Sequence, residues 1–168
     1  MSHDDLANQL GALALALADD MRSGAEAAAG EAGPAAAALV LAGHEPGLSI
    51  AALAAAVGLS HPGTVRLVDR LAADGLIERR PDPADRRAVG LYLTEVGAGR
   101  AAAVQAARTA PLQAVVAALT PAERAVLAPA VARLLAARVD GEVAALRVCR
   151  LCDHERCGQC PVEAALAA

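Results

Sequence analysis

The segment at residues 48–97 constrains the fold of this 168-residue chain more than any other. Ser49 is placed to cap a helix that ends at Gly58, and Ser60 is placed to cap a second helix that ends at Gly75. Both helices carry apolar residues at helical spacing, and a tight turn joins them. This pattern predicts a packed first helix and a second helix whose N-terminal half is free to enter the major groove of DNA.

A β-hairpin is predicted directly after these two helices. Residues 76–80 form its first strand, a turn rich in proline and aspartate follows, and residues 87–93 form the return strand. Arg86 and Arg87 lie at or beside the tip, where an arginine can enter a narrow minor groove. Asp85 is placed to hold the Arg87 guanidinium. Helices and hairpin together predict a winged helix-turn-helix.

The charge distribution does not oppose DNA binding by this segment. The chain has a net charge of −4, but residues 1–60 hold one basic and seven acidic side chains, whereas residues 61–90 hold six basic and five acidic ones. The acidic excess therefore lies in the first third of the chain. All 15 basic residues are arginine, which suits bidentate contacts to phosphate and guanine, although genome composition explains the bias equally well.

The N-terminal third is predicted to be helical with one loop. Four leucines at helical spacing form a narrow apolar seam: Leu6, Leu10, Leu13 and Leu17. A seam of this kind fits a dimerisation arm and packing within one chain equally well. Residues 23–33 are small and polar enough to predict a loop, and Pro34 then opens a short helix of alanine and leucine.

The C-terminal half is predicted to form long helices. Thr94 is placed to cap an alanine-rich helix, and Thr120 begins a capping box with proline at the first helical position. Pro111 and Pro129 fall inside helical patterns, so we expect a kink or break at each. Gly141 is expected to interrupt the last helix. With one tyrosine and no tryptophan or phenylalanine, packing rests on small aliphatic residues, which favours dimerisation.

The sequence predicts no membrane span or export signal. The apolar run at residues 10–18 is too short to cross a bilayer and follows Asp4 and Asp5 rather than a basic stretch. We therefore expect a cytoplasmic protein without a membrane partner. Cysteines in that compartment are reduced, which favours metal or redox chemistry over structural disulfides.

Four cysteines form two CxxC pairs near the C-terminus: Cys149, Cys152, Cys157 and Cys160. A structural zinc ion held by four thiolates is the preferred interpretation. An iron–sulfur cluster or another sensed metal, and a thiol redox switch, remain alternatives. His154, in the connecting loop, is a possible substitute ligand. One interpretation is structural: the site ends the last helix and folds the tail back onto it. The other is a sensor that alters the spacing of the two lobes when the metal or redox state changes.

The order of these motifs resembles the MarR family of bacterial regulators. The resemblance rests on residues 64–71 and 75–79, on Asp85-Arg86-Arg87, and on residues 91–94 followed by Gly97. It implies a homodimer in which the N-terminal helix and the last two long helices interlock. It also implies that the second helix of each lobe binds one half-site of a palindrome, while the wing enters the flanking minor groove.

The resemblance assigns candidate DNA contacts to particular residues. Arg87 matches the wing arginine, Asp85 matches its orienting acid, and Arg86 lies beside them. Candidates on the second helix are Ser60, His61, Pro62, Gly63, Thr64, Arg66 and Arg70. Arg70 has a structural alternative, an ion pair with Asp69, Asp74 or Glu78. The four-cysteine motif is not part of the family pattern.

The sequence thus predicts a mainly α fold with a small β-wing. Its parts are N-terminal helices at 1–47, the winged helix-turn-helix lobe at 48–97, dimerisation helices at 98–147 and a metal-binding tail at 148–168. We expect a non-enzymatic transcriptional regulator, most simply a repressor, that binds double-stranded DNA and responds to a small molecule or metal. A thiol oxidoreductase and a protein-interaction module are the alternatives. The scarcity of aromatic side chains argues against a phenolic ligand.

Overall fold

The computed structural model describes residues 2–31, 33–81 and 89–167. These residues form a mostly helical fold with a small antiparallel sheet, as predicted. The helices are α1 (His3–Ala29), α2 (Ala35–His44), α3 (Ile50–Val57), α4 (His61–Ala73), α5 (Glu95–Ala117), α6 (Pro121–Ala136), α7 (Glu142–Cys149) and α8 (Pro161–Leu166). The strands are β1 (Leu48–Ser49), β2 (Ile77–Pro81) and β3 (Val89–Leu93).

The sheet lies beside α2, α3 and α4 and completes the lobe. β3 is the central strand, with β1 on one side and β2 on the other, and both pairings are antiparallel. Leu91 of β3 pairs with Leu48 in β1 and is fully buried. The largest fully buried aliphatic side chains among the described residues are Leu39, Leu41, Leu53, Leu67, Leu71, Leu91, Val40, Val68 and Val104. Burial of these aliphatic side chains holds α4 and the hairpin in a fixed relation.

Polar caps start the helices where the sequence predicts them. The Ser49 hydroxyl accepts the Ala52 amide, and the Ser60 hydroxyl accepts the Gly63 amide. Thr94 caps α5 in the same way. Thr120 forms the predicted capping box at the start of α6. Each cap satisfies an amide that has no partner inside its helix.

The loop predicted at residues 23–33 is wrong over most of its length, because α1 continues to Ala29. The small residues there allow α1 to pack closely along α5. Ala25 and Ala29 are buried, and a Cβ on Gly24 would lie 3.1 Å from the carbonyl oxygen of Ala107. Composition alone does not separate such a helix from a loop.

The two internal prolines do not end their helices. α5 continues through Pro111 and α6 continues through Pro129, so neither helix is broken there; a kink, the other predicted outcome, stays a prediction. α6 has no buried residue, so water can hydrate the carbonyl that Pro129 leaves without a hydrogen bond. The interruption predicted near Gly141 is confirmed, since α6 ends at Ala136 and Gly141 precedes α7 with a φ of 152°.

Apolar side chains remain exposed on the outer helices. In α1 they include Leu6, Leu10 and Leu13, and in α6 they include Leu127 and Leu134. Leu134 is 56% exposed and Leu10 is 53% exposed. Among the described residues, no single helix is long and apolar enough to cross a membrane; α3 and α4 reach that length only jointly, across a bend of 106°.

Candidate nucleic-acid interface

Helix α4 has one buried face and one exposed face. Leu67, Val68 and Leu71 are buried in the lobe, as the apolar spacing requires, while Val65 is only half-buried. Arg66 lies on the exposed side. The helix is thus anchored along one side and open to solvent along the other.

The N-terminal turn of α4 offers most of the predicted contacts at the surface. Ser60, His61 and Pro62 are exposed, and Gly63 is half-buried. Thr64 differs, because its side chain is fully buried and its hydroxyl donates to the Ser60 carbonyl at 3.1 Å. Its polar group is satisfied inside the helix. We therefore leave Thr64 out of the candidate DNA-binding surface, contrary to the sequence-based prediction.

Two arginines of α4 lie in different environments. Arg66 is exposed, and no carboxylate within the described residues forms an ion pair with it. The Nη2 atom of Arg70 lies 2.5 Å from Oε1 of Glu31, and its Nε donates to the same oxygen at 2.7 Å. Exposed ion pairs of this kind contribute little to stability. Phosphate can therefore compete with Glu31 for the Arg70 guanidinium.

Arg70 does not pair with the carboxylates predicted for it, which are Asp69, Asp74 and Glu78; it pairs with Glu31. Asp69, one of them, accepts a hydrogen bond from Arg79 of β2 at 2.7 Å. Glu78, another, pairs with Arg80 of the same strand. The contact between Asp69 and Arg79 joins the base of the hairpin to α4, whereas the pair between Glu78 and Arg80 lies within β2. Arg70 instead binds Glu31, in the segment that joins α1 to α2.

The wing is described only at its base. Arg80 pairs in register with Gly90, and its guanidinium lies 4.8 Å from the centre of the Tyr92 ring. The predicted tip residues Asp85, Arg86 and Arg87 lie outside the described residues. The predicted contact between Asp85 and Arg87, and the insertion of the tip into a minor groove, therefore stay predictions.

Three of the four cysteines contact one small apolar cluster. Cys149 is buried in a cluster with Ala145 and Val162, and the half-buried Cys152 and Cys160 pack against that cluster. Burial, together with the neighbouring Cys152 and Cys160, raises the pKa of the Cys149 thiol to about 12. Cys157 is exposed. In the described part of the chain, no three histidine, cysteine, aspartate or glutamate side chains are arranged to hold a metal ion.

A polar contact that the sequence did not indicate joins three distant segments. The rings of His44 in α2 and His154 in the cysteine loop are stacked, with their centres 3.8 Å apart. The Gln105 amide of α5 lies 3.0 Å from Nε2 of His44 and donates to the Cys152 carbonyl at 3.0 Å. These residues are too far apart in the chain for any spacing rule to connect them.

The surroundings of His44 disfavour its charged form. Burial, and secondly the neighbouring His154, lower the pKa of His44 to about 4. Its Nδ1 atom is buried and has no hydrogen-bond partner among the described residues. Because the Cys152 carbonyl fixes Gln105 as a donor, Nε2 of His44 accepts from it and Nδ1 carries the proton.

We expect acid to destabilise the protein through His44. Between pH 6.5 and about 4, the unfolded chain binds a proton at this residue that the folded chain does not, so the free energy of unfolding falls as the pH is lowered through that window. The midpoint of urea unfolding, measured at several pH values, reports the loss. Carboxylates such as Glu123, whose pKa the Thr120 cap lowers, also contribute to the loss of stability in acid. A His44→Gln variant keeps their contribution and removes that of His44. Equal acid sensitivity of wild type and variant would contradict the prediction.

The described elements form a winged helix, built from α2, α3, α4 and the small sheet, flanked by the long helices α1 and α5. Residues 33–88, less than half of the chain, match the model of the MarR family. The winged helix domain is therefore of the MarR type. No curated protein sequence matches the chain.

Solved structures of this fold cover most of the chain. RV1404 from Mycobacterium tuberculosis is 26% identical and superposes with a TM-score of 0.69 over 84% of this chain and 97% of its own. YusO from Bacillus subtilis is 25% identical, with a TM-score of 0.66 over 80% and 97%. A mutant of MepR from S. aureus, solved bound to an oligodeoxyribonucleotide, is 18% identical, with a TM-score of 0.55 over 82% and 98%.

Proposed function

We propose that this chain is a sequence-specific DNA-binding transcriptional regulator that represses by occupying its operator. The observation that carries the proposal is the exposed N-terminal half of α4, with Arg66 unpaired among the described residues, beside the base of a β-hairpin. Such a helix fits the major groove, and an arginine there can bond two acceptors of guanine. The complex of MepR with an oligodeoxyribonucleotide supports the same role for this fold.

Selection from random DNA tests the proposal without knowledge of the operator. Purified protein is mixed with a pool of random-sequence duplexes, and the bound fraction is sequenced after several rounds. We expect an inverted repeat whose half-sites lie about one helical turn apart, or a multiple of it. A pool that gains no common sequence would overturn the assignment.

We further propose a homodimer built from the outer helices. Leu10 in α1 and Leu134 in α6 are more than half exposed, and no residue of α6 is buried within the chain. A helix that buries none of its residues gains little stability by itself in water. A second copy of the chain would cover these faces and place two α4 helices for two half-sites.

Replacing Leu134 with glutamate is expected to shift the dimer to monomer. The change places a charge in the proposed interface, where its desolvation opposes association. Sedimentation velocity over a range of protein concentrations measures the shift, with an expected rise of at least tenfold in the dissociation constant. Leu15→Glu is the matched control, because Leu15 is 71% exposed and lies off the apolar seam of α1. Equal effects of the two changes would contradict the interface.

For the four cysteines we propose a structural zinc site that holds the tail, residues 148–168, in a fixed conformation. Cys149, Cys152 and Cys160 pack in one cluster, but no three ligand side chains among the described residues are arranged to hold a metal ion. Zinc binding would therefore require these thiols to rearrange and the exposed Cys157 to join them. Zinc would hold the four thiolates tetrahedrally and stabilise the turn between α7 and α8. The high pKa of Cys149 argues against an oxidoreductase that uses this thiol as its nucleophile.

Metal analysis distinguishes the proposed zinc site from its alternatives. We expect protein purified without air to be colourless and to contain one zinc per chain. A brown protein with iron and acid-labile sulfide would replace zinc with an iron–sulfur sensor. Metal-free protein with reversible thiol oxidation would favour a redox switch.

A further inference from the structure

The guanidinium of Arg70 in α4 is held by a carboxylate from the segment that joins α1 to α2. Nε and Nη2 of Arg70 both contact Oε1 of Glu31, at 2.7 and 2.5 Å. Its Nη1 lies 3.5 Å from the carbonyl oxygen of Arg66, one helical turn nearer the N-terminus of α4. The guanidinium therefore lies beside the part of α4 that carries the exposed Arg66.

Hydrogen bonds on both sides of Glu31 fix its place in the structure. Before it, Nη1 of Arg100 in α5 donates to the Ala29 carbonyl at 3.2 Å. After it, the Gly33 amide donates to Oε1 of Glu26 in α1 at 3.1 Å. These bonds restrict the backbone around Glu31, so its carboxylate loses little conformational freedom when it binds the guanidinium.

A backbone phosphate of DNA would use the same two donors of Arg70. Glu31 offers them one oxygen, whereas a phosphate can accept from two nitrogens of an arginine with two of its own oxygens. The two acceptors exclude each other, because both require Nε and Nη2. The Arg70 side chain is 54% exposed, so a phosphate can reach the guanidinium, and water weakens the ion pair that it has to replace.

We propose that Glu31 is an intramolecular competitor for the DNA phosphate at Arg70 and thereby lowers the affinity of each lobe for DNA. A phosphate contact carries no sequence information, so the competition acts on all DNA sequences alike. A determinant of DNA affinity would then lie outside the lobe at residues 48–97 and outside residues 33–88, which match the family model. This inference rests on the proposed DNA-binding function.

The first test measures the ion pair in the full-length protein without DNA. Phenylglyoxal modifies accessible guanidinium groups, and peptide mass spectrometry follows the rates at Arg70 and Arg66. Glu31→Gln should raise the rate at Arg70 by about threefold or more, the range for loss of an exposed ion pair, and leave the rate at Arg66 unchanged. The control Asp19→Asn removes a carboxylate that pairs with Arg22 within α1 and should change neither rate. Equal rates at Arg70 in wild type and Glu31→Gln would overturn the inference.

The second test measures the effect on DNA binding, by fluorescence anisotropy with the selected operator at several salt concentrations. Glu31→Gln should bind roughly two- to fivefold more tightly for each lobe, since it frees Arg70 from an exposed ion pair. The slope of log affinity against log salt concentration should steepen by up to about one per lobe. In an Arg70→Ala background the same change should leave the affinity unaltered, and Asp19→Asn should do so in the wild-type background.

The two backgrounds separate competition at Arg70 from a general effect of charge. An equal gain in both backgrounds, or a gain without a steeper salt slope, would overturn the inference. Operator binding that Glu31→Gln leaves unchanged would also overturn it, and the proposed function would stand. If the wild type and all variants bind no DNA, the proposed function fails and the inference fails with it.

Discussion

Replacing Gly97 with alanine is expected to destabilise this fold by about 3 kcal/mol or more, as overpacking against rigid backbone does. An added Cβ would lie 1.9 Å from the carbonyl oxygen of Leu76 and 2.8 Å from its carbonyl carbon. That carbonyl also accepts the Thr94 amide at 3.1 Å. The first turn of α5 therefore has to move away from the start of β2, and the hairpin loses its fixed place against the helix.

A second glycine of the same helix provides the control. A Cβ on Gly99 meets nothing within 4 Å, and alanine is favoured over glycine in a helix by roughly 0.5–1 kcal/mol. Gly99→Ala should therefore stabilise the protein slightly, while Gly97→Ala strongly destabilises it. Urea unfolding followed by circular dichroism measures both. Similar midpoints for the two variants would show that the close approach at Leu76 is not required.

Replacing Arg66 with alanine is expected to weaken operator binding by roughly 10- to 100-fold for each half-site, the range for loss of one bidentate base contact. Arg66 is exposed on α4 and has no ion-pair partner among the described residues, so its removal should leave the stability of the lobe unchanged. Fluorescence anisotropy with the selected operator measures the loss, and thermal unfolding confirms that the variant is folded.

The salt dependence of binding separates a base contact from a phosphate contact at Arg66. Loss of a phosphate contact weakens binding to all sequences and reduces the slope of log affinity against log salt concentration by about one. Loss of a base contact instead relaxes the sequence preference at one position of the operator. Arg138→Ala, at an exposed position in the turn after α6, is the control and should change neither. Unaltered operator affinity in Arg66→Ala would remove α4 from the proposed interface.

Local hydrogen-bond chemistry made much of this fold predictable from sequence. The caps at Ser49, Ser60, Thr94 and Thr120 each join a side chain to an amide three residues away. Such contacts require only a short stretch of chain, so the residue types suffice to place them. The order of helices and strands around the wing follows from these caps and from apolar spacing.

The alanine-rich segments were less predictable, because alanine serves both exposed and buried positions. Gly24 and its alanine neighbours predict a loop by composition, yet they allow α1 to approach Ala107 of α5 closely. Whether such a segment forms a helix or a loop depends on the presence of α5 opposite it, which the composition of the segment does not reveal. The break that Pro129 could have caused is absent, because the cost of an internal proline depends on whether water can reach the carbonyl that it leaves without a hydrogen bond.

The candidate site was predictable only where its contacts are local. The exposed side of α4 follows from helical spacing, but the pairing of Arg70 with Glu31 spans 39 positions. The contact between Gln105 and Cys152 spans 47. Long-range contacts between polar side chains leave no periodic signal in the sequence. For the same reason the CxxC spacing indicated a metal site without indicating that His154 stacks on His44.

Specific DNA binding is the central claim, and the affinity ratio between two duplexes tests it most directly. The duplexes are the selected palindrome and a scrambled sequence of the same composition, titrated with wild-type protein at one physiological salt concentration. We expect the palindrome to bind at least about 1,000-fold more tightly, the lower end for sequence-specific proteins. Equal affinity for both duplexes would contradict a sequence-specific regulator.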